Sequence, residues 1–146
     1  MAQMVEQFAD WQASILAVQE VPPEETKSYG IVSSTPWNNR SERVNAIVEK
    51  PDPKDAPTNL AVVGRYVLNS QIFDHIRKTG KGAGGEIQLT DGIASLLEDQ
   101  PVLAYRFNGT RFDCGSKIGY LKATVELGLK HPEVSAEFFN YLNNRK

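Results

Sequence analysis

The sequence predicts a mixed α/β protein, because short β-rich runs and amphipathic helical segments are interspersed without regular alternation. Proline pairs and polar loops end the β-rich runs, and helical patterns dominate the last third of the chain. We therefore expect one partial domain over residues 1–146, part of whose sheet is missing or supplied from elsewhere. Within it we expect a sheet-rich segment over 1–68 and a mainly helical segment with one strand over 69–146.

The sheet-rich segment predicts one helix followed by four strands. Apolar residues at helical spacing from Met4 to Trp11 predict the helix. Pro51 and Pro53 end the third strand, because proline cannot continue a ladder inside a sheet. The four predicted strands cover residues 14–21, 29–32, 44–50 and 60–68, with an exposed hairpin connection over 33–42.

The mainly helical segment predicts four helices and a fifth strand. Ser70 is a plausible N-cap for the first of these helices, whose apolar side is predicted to include Phe73. A run of glycines separates it from the next helix, and His131-Pro132 separates the last two. The predicted helices cover residues 70–78, 87–98, 116–129 and 135–143, and the predicted strand covers 102–107.

Composition limits the classes of function. A net charge of −2, from 16 Lys+Arg and 18 Asp+Glu, provides no global field to attract nucleic acid or an anionic membrane. The single cysteine cannot form an intrachain disulfide, and no apolar run approaches the roughly 20 residues of a membrane-spanning helix. The first residues also lack the pattern of a secretory signal, so we expect a cytoplasmic protein.

The glycine-rich stretch Gly80–Gly85 satisfies the pattern G-x-G-x-x-G, which binds pyrophosphate in dinucleotide-binding units. That fingerprint lies between a strand and a helix, whereas a predicted helix precedes this stretch. No acidic residue closes a βαβ unit after it, and no Gly-Lys-Ser/Thr ending marks a P-loop. We therefore interpret it as a connection between two helices rather than a nucleotide site.

Glu49, Lys50 and Pro51 end the third predicted strand. Neighbouring side chains on a strand project to opposite faces unless the strand twists or breaks, and Pro51 favours such a break. A carboxylate can accept hydrogen bonds from sugar hydroxyls, and a lysine ammonium can bind phosphate. The residues alone leave two interpretations open, a ligand site or a solvated strand end.

Asp113 follows the fifth strand and precedes a helix, in the segment Arg111-Phe112-Asp113-Cys114-Gly115. A carboxylate there is a natural Mg²⁺ ligand, and it is equally well explained as a turn or N-cap residue. The adjacent Cys114 is not interpreted as a nucleophile, because neither histidine forms a recognisable Cys/His arrangement with it. The histidines and the cysteine also match no zinc-site spacing.

Taken in order, five segments closely resemble the bacterial UTP–glucose-1-phosphate uridylyltransferases. The resemblance extends from near Met1 to about Phe139. The Glu-Ile-Gln-Leu-Thr-Asp and Asp-Cys-Gly segments separate this branch from related thymidylyl- and adenylyltransferases. The five segments are Tyr29-Gly30, Val48-Glu49-Lys50-Pro51, Asn59–Leu68, Gly84–Asp91 and Phe112-Asp113-Cys114-Gly115.

The resemblance implies a nucleotide-diphospho-sugar transferase fold, a Rossmann-like and mostly parallel sheet with helices on both sides. It implies that this chain is the C-terminal, sugar-phosphate-binding half of an enzyme that makes UDP-glucose and pyrophosphate from UTP and glucose 1-phosphate. Glu49 would bind glucose hydroxyls, Lys50 would bind the sugar phosphate and act as the catalytic residue, and Asp113 would bind Mg²⁺. Backbone groups of Gly30, Val63 and Gly64 would line the sugar pocket.

The chain departs from the family in lacking the glycine-rich segment that cradles UTP phosphates and the first metal-binding aspartate, both expected before Met1. We therefore expect the chain to lack the nucleotide-binding half. The alternative interpretation is that the chain is a non-catalytic sugar-phosphate-binding or assembly module. That module would associate through the helices of residues 116–143, and a homo-oligomer is the expected assembly.

Overall fold

A computed structural model describes residues 1–82 and 85–145. Packing divides the chain into two compact units, Met1–Phe107 and Asn108–Lys146. The predicted sheet-rich segment over 1–68 and mainly helical segment over 69–146 remain predictions from the sequence. In the described ranges, every helix is too short or too polar to cross a membrane.

Over residues 1–82 and 85–107, the first unit contains three α-helices and five strands. A short 3-10 helix at Pro23–Ser28 occupies most of the loop predicted after the first strand. The helices are α1 at Ala2–Trp11, α2 at Ile72–Lys78 and α3 at Leu89–Leu96. The strands are β1 at Ser14–Glu20, β2 at Gly30–Pro36, β3 at Ser41–Glu49, β4 at Leu60–Val67 and β5 at Val102–Arg106.

The five strands form one mixed sheet in the order β1-β4-β2-β3-β5, and β5 pairs again with β1 so that the sheet closes. The β1–β5 pair is parallel, while β1–β4, β2–β3, β2–β4 and β3–β5 are antiparallel. The mixed sheet is confirmed. The mostly parallel sheet implied for the intact fold is not formed by these strands: a hairpin joins β2 to β3, and β4 pairs antiparallel with the other side of β2.

Strand β1 is buried on both faces, as expected for a strand with helices on both sides of its sheet. Leu16 and Val18 join the larger core, which includes Ile72 from α2 and Ile93 and Leu96 from α3. The residues that alternate with them, Ile15 and Ala17, join a second core that includes Met4 from α1. Helix α1 therefore covers one face of the sheet, while α2 and α3 cover the other.

An ion-pair cluster connects the sheet where β5 meets β3 and β1. The Arg106 guanidinium donates through Nε to Glu42 Oε1 at 2.8 Å and through Nη1 to Glu20 Oε1 at 3.1 Å. Ser34 Oγ donates to the other Glu42 oxygen at 2.6 Å. The Ser34 hydrogen bond and the Arg106 guanidinium lower the Glu42 pKa, and they outweigh the opposing effect of burial.

The second unit contains two helices, α4 at Lys117–Gly128 and α5 at Ser135–Asn143. Ser116 caps α4, because its hydroxyl accepts a hydrogen bond from the Gly119 N–H at 3.0 Å. Large apolar side chains on both helices are more than half exposed within this unit: Ile118, Tyr120, Leu121, Leu127, Phe139 and Tyr141.

Three local predictions were wrong. The strands β2 and β3 extend into the expected connection, whose loop shrinks to residues 37–40, because residues from Ser33 to Pro36 pair with β3. Ser70 does not cap α2; the side chain of Asn69 instead accepts from the Gln71 N–H at 3.2 Å. Phe73 is 61% exposed rather than on the apolar side of α2.

Candidate functional site

Glu49 and Lys50 lie where β3 leaves the sheet, and the backbone brings their side chains together. Lys50 has a φ of 45°, which is uncommon for a residue with a side chain. Its N–H still donates to Tyr29 O at 3.0 Å, so the chain turns sharply while attached to the sheet. Lys50 Nζ consequently lies 3.4 Å from Glu49 Oε1 instead of on the opposite face. The sequence suggested a break at Pro51, and the structure places it one residue earlier.

Exposure differs between the two charged side chains. Glu49 is only 14% exposed, whereas Lys50 is 55% exposed. The carboxylate is therefore held at the sheet while the ammonium extends into solvent beside it. This arrangement presents hydrogen-bond acceptors and a positive charge to one small region, as a phosphorylated polyol requires.

Gly30 pairs directly with Glu49 across β2 and β3, and a side chain there would force the Thr90 side chain to shift. A methyl group added at Gly30 would lie 2.8 Å from Thr90 Cγ2 and 3.4 Å from Glu49 Oε2. Gly30 thus allows Thr90, in the first turn of α3, to approach the strand end that carries Glu49. The contact gives Gly30 a steric role, while its place in the lining of a sugar pocket stays a prediction.

Thr90 has an unusual polar environment. The residue is only 6% exposed, and its Oγ1 is the single buried side-chain oxygen or nitrogen without a partner among the described residues. Buried polar groups are nearly always hydrogen-bonded, so such an exception calls for a cause. Its methyl group lies beside Gly30, the residue that pairs with Glu49, so Thr90 packs against the strand end that carries the predicted ligand residues.

Tyr66 on β4 is a further neighbour of Glu49. Burial raises the pKa of the Tyr66 phenol, and the negative charge of Glu49 raises it further. The half-buried ring also packs against the larger core. Sequence reasoning assigned no role to Tyr66 or Thr90, although both lie within the family-like segments, because only the folded chain brings them to Glu49.

Val63 and Gly64 lie at an irregularity of β4. Leu16 pairs with Tyr66 and Val18 with Val62, so three residues of β4 oppose one residue of β1. Gly64 has a φ of 72°, as expected at a β-bulge. A methyl group there would have no atom within 4 Å, so the space beside it is open. Backbone groups at a bulge lie outside the regular ladder and can bind a ligand.

Asp113 lies in the second unit, in a turn just before α4. Its Oδ1 accepts from the Gly115 N–H at 3.0 Å, and its Oδ2 lies 3.5 Å from Arg111 Nη2. The side chain is 48% exposed, so it can still reach a cation. Within residues 1–82 and 85–145, no three His, Cys, Asp or Glu side chains are grouped as a metal site. Any metal held by Asp113 would need further ligands from a substrate or from outside the described chain.

The remaining sequence motifs add little chemistry. Part of the Gly80–Gly85 stretch, residues 83 and 84, lies outside the described residues. In the described part, Gly82 N–H donates to Glu86 O and Gly85 N–H donates to Gly82 O. Cys114 is a free, exposed thiol.

Comparison with known proteins confirms the resemblance. The family model described as nucleotidyl transferase matches residues 1–128. The UTP–glucose-1-phosphate uridylyltransferase of Pseudomonas aeruginosa is 52% identical over 84% of this chain and 44% of its own length. That of Haemophilus influenzae is 44% identical over 99% of this chain and 50% of its own length. The chain therefore spans about half the length of the curated relatives it matches.

Solved structures give the same result. A UTP-bound enzyme of this kind from Acinetobacter baumannii superposes with a TM-score of 0.84 at 42% identity, covering 99% of this chain and 50% of its own. A UDP-glucose pyrophosphorylase complexed with UDP-glucose superposes with a TM-score of 0.83 at 38% identity, covering 88% of this chain and 49% of its own. The match over residues 1–128, the fold and the relatives all agree, and the chain belongs to the nucleotidyl transferase family.

Proposed function

We propose that this chain is the sugar-phosphate-binding portion of a UTP–glucose-1-phosphate uridylyltransferase, the nucleotide-binding half being absent from it. The observation that carries the proposal is the turn at Lys50, which sets an ammonium 3.4 Å from a carboxylate that is held at the sheet edge. A sugar phosphate needs both kinds of group within a few ångströms of one another. The names of the relatives and of the superposing structures supply the identity of the sugar and nucleotide.

In the proposed mechanism, Glu49 accepts hydrogen bonds from glucose hydroxyls and fixes the sugar ring. Lys50 binds the sugar phosphate and offsets its charge as it approaches the triphosphate. Backbone groups of Gly30, Val63 and Gly64 line the sugar pocket: Gly30 lets Thr90 pack beside Glu49, and the bulge exposes the other two. The sequence alone left a solvated strand end as the alternative, and the low exposure of Glu49 argues against it.

The reaction needs no covalent enzyme intermediate. A phosphate oxygen of glucose 1-phosphate attacks the α-phosphorus of UTP in line, the bond to pyrophosphate breaks, and UDP-glucose forms. The phosphate is already a nucleophile, so the protein's contribution is to position two anions that repel each other. Lys50 is the residue of this chain that supplies a positive charge for that purpose.

A divalent metal, Mg²⁺ in our proposal, would be held partly by Asp113. The exposed carboxylate fits one position of such a site, and the absence of a three-residue cluster in the described ranges fits a site completed by phosphates and by the other half. When bound, the metal would neutralise charge on the phosphates. A cytoplasmic location and a homo-oligomer remain predictions; the exposed apolar side chains of α4 and α5 support the latter.

The test uses Lys50→Ala in a full-length enzyme, made by joining this chain to the nucleotide-binding half of a relative. We expect turnover to fall by at least 100-fold, roughly 3 kcal/mol of transition-state stabilisation, with an unchanged circular dichroism spectrum. Lys54→Ala is the matched control, because the Lys54 side chain is 80% exposed and its Nζ makes only a long contact, of 4.0 Å, with Asp55 Oδ2. Activity of Lys50→Ala within a few-fold of the parent would remove Lys50 from the mechanism.

Assaying the 146-residue chain alone distinguishes the proposed function from the alternative, a non-catalytic binding or assembly module. Pyrophosphate release from UTP and glucose 1-phosphate would contradict the proposal that this chain lacks the nucleotide-binding half. Binding of glucose 1-phosphate without turnover, together with activity after the missing half is supplied, would support it. Binding with no activity in either form would favour the module.

A further inference from the structure

Gly119, in the first turn of α4, packs directly beneath the backbone of Asp113. A methyl group added at Gly119 would overlap the Asp113 carbonyl oxygen, and it would lie 2.6 Å from Ser116 Oγ and 2.8 Å from the Asp113 carbonyl carbon. The two Asp113 atoms belong to the backbone, which cannot rotate away as a side chain can. A substitution at Gly119 must therefore displace the turn that carries Asp113.

Hydrogen bonds hold that turn against the helix. The Ser116 N–H and Oγ both donate to Asp113 O, at 3.3 and 3.1 Å. The same Ser116 oxygen accepts from the Gly119 N–H at 3.0 Å, and the Gly115 N–H donates to Asp113 Oδ1 at 3.0 Å. One compact network therefore fixes both the backbone and the carboxylate of Asp113, and it closes only if residue 119 has no side chain.

We propose that Gly119 is a positioning residue for the Asp113 carboxylate. The inference rests on the proposed metal-binding role of Asp113, and it assigns to a helix residue six positions along the chain the task of placing that ligand. Gly119 touches neither substrate nor metal in this proposal. It acts by permitting the close approach of α4 to the Asp113 peptide.

Replacing Gly119 by alanine would ordinarily be expected to raise the stability of the fold. Glycine is among the poorest helix formers, so replacing it by alanine near a helix start normally raises stability. The overlap with Asp113 predicts that Gly119→Ala instead lowers the thermal unfolding midpoint, by roughly 5 °C for a chain of this size. Gly80→Ala is the control, because a methyl group at Gly80 meets no atom within 4 Å.

The decisive measurement is Mn²⁺ binding to the full-length enzyme described above, followed through the electron paramagnetic resonance signal of free Mn²⁺ in the presence of UDP-glucose. We expect Gly119→Ala to weaken Mn²⁺ binding at least tenfold, and amide exchange at Gly115 to become faster because its bond to Asp113 is disturbed. Gly80→Ala should leave both unchanged. Unaltered Mn²⁺ affinity in Gly119→Ala, or a raised unfolding midpoint, would overturn the inference.

Two further variants keep the outcomes separate. Asp113→Asn tests the proposed function itself: if it leaves Mn²⁺ affinity unchanged, Asp113 is not a ligand, and the metal-placing role of Gly119 falls with it. If Asp113→Asn weakens binding while Gly119→Ala does not, only the positioning role fails. Should Gly119→Ala not fold, Ser116→Ala removes two hydrogen bonds from the same turn without adding bulk. It should weaken Mn²⁺ binding severalfold, and unchanged binding would again overturn the proposal.

Discussion

Replacing Thr90 by valine should make this protein more stable, against the usual effect of mutating a buried residue. Thr90 is 6% exposed, its Oγ1 has no partner within the part of the chain described, and its methyl group packs beside Gly30. Valine has nearly the same shape, so it retains the packing while removing the unpaired hydroxyl. Leaving a buried hydroxyl unpaired costs about 1–3 kcal/mol, and removing the group recovers part of that cost.

We expect the free energy of unfolding to rise by about 1 kcal/mol, at the low end of that range. Fixing the hydroxyl costs little conformational entropy, and its surroundings can relax to reduce the cost of leaving it unpaired. For a chain of this length, that gain raises the thermal unfolding midpoint by roughly 3 °C. The assay is thermal and urea unfolding of the 146-residue chain, followed by circular dichroism. Thr90→Ser is the matched control: it keeps the hydroxyl and loses the methyl group beside Gly30, so it should be less stable than the parent.

The same variant tests why an unpaired hydroxyl persists beside Glu49. Residues retained at a cost in stability are typical of functional sites. We therefore expect Thr90→Val to weaken glucose 1-phosphate binding while it stabilises the fold. A lower unfolding midpoint in Thr90→Val would refute the reasoning, since it would mean that Oγ1 has a favourable partner in the folded chain.

Two other predictions concern the scaffold. Leu96→Ala should lower the free energy of unfolding, measured in urea titrations, by about 3 kcal/mol, because Leu96 is fully buried in the larger core. Phe73→Ala should change it by less than about 0.5 kcal/mol, because the Phe73 side chain is 61% exposed. Equal effects would contradict the assigned core. The lowered pKa of Glu42 predicts a stabilising contribution that is complete above the ordinary carboxyl pKa of 4.5 and is lost as pH falls through the lower folded-state pKa. Glu42→Gln should therefore reduce the acid-dependent loss of stability below pH 4.5. An unchanged pH profile would show that Arg106 and Ser34 do not stabilise the charged form.

Much of the local structure follows from sequence patterns. The strands β1, β4 and β5 and the helices α4 and α5 lie within two residues of their predicted bounds, because their apolar periodicity and proline or serine ends act over a few residues. The bounds of the hairpin depend on the pairing of β2 with β3, and the N-cap residue of α2, Gln71, makes no side-chain cap hydrogen bond. Neither feature leaves a clear local pattern.

By itself, the sequence determined the α/β class and the family, and it predicted the candidate ligand residues Glu49, Lys50 and Asp113, because residue types and the order of motifs can be read without coordinates. Only the tertiary structure decided that Lys50 turns back beside Glu49 and that Thr90 approaches Gly30. These juxtapositions depend on where α3 packs and how β2 and β3 register. Contacts between residues distant in sequence are set by the packing of the whole core, which no local preference encodes.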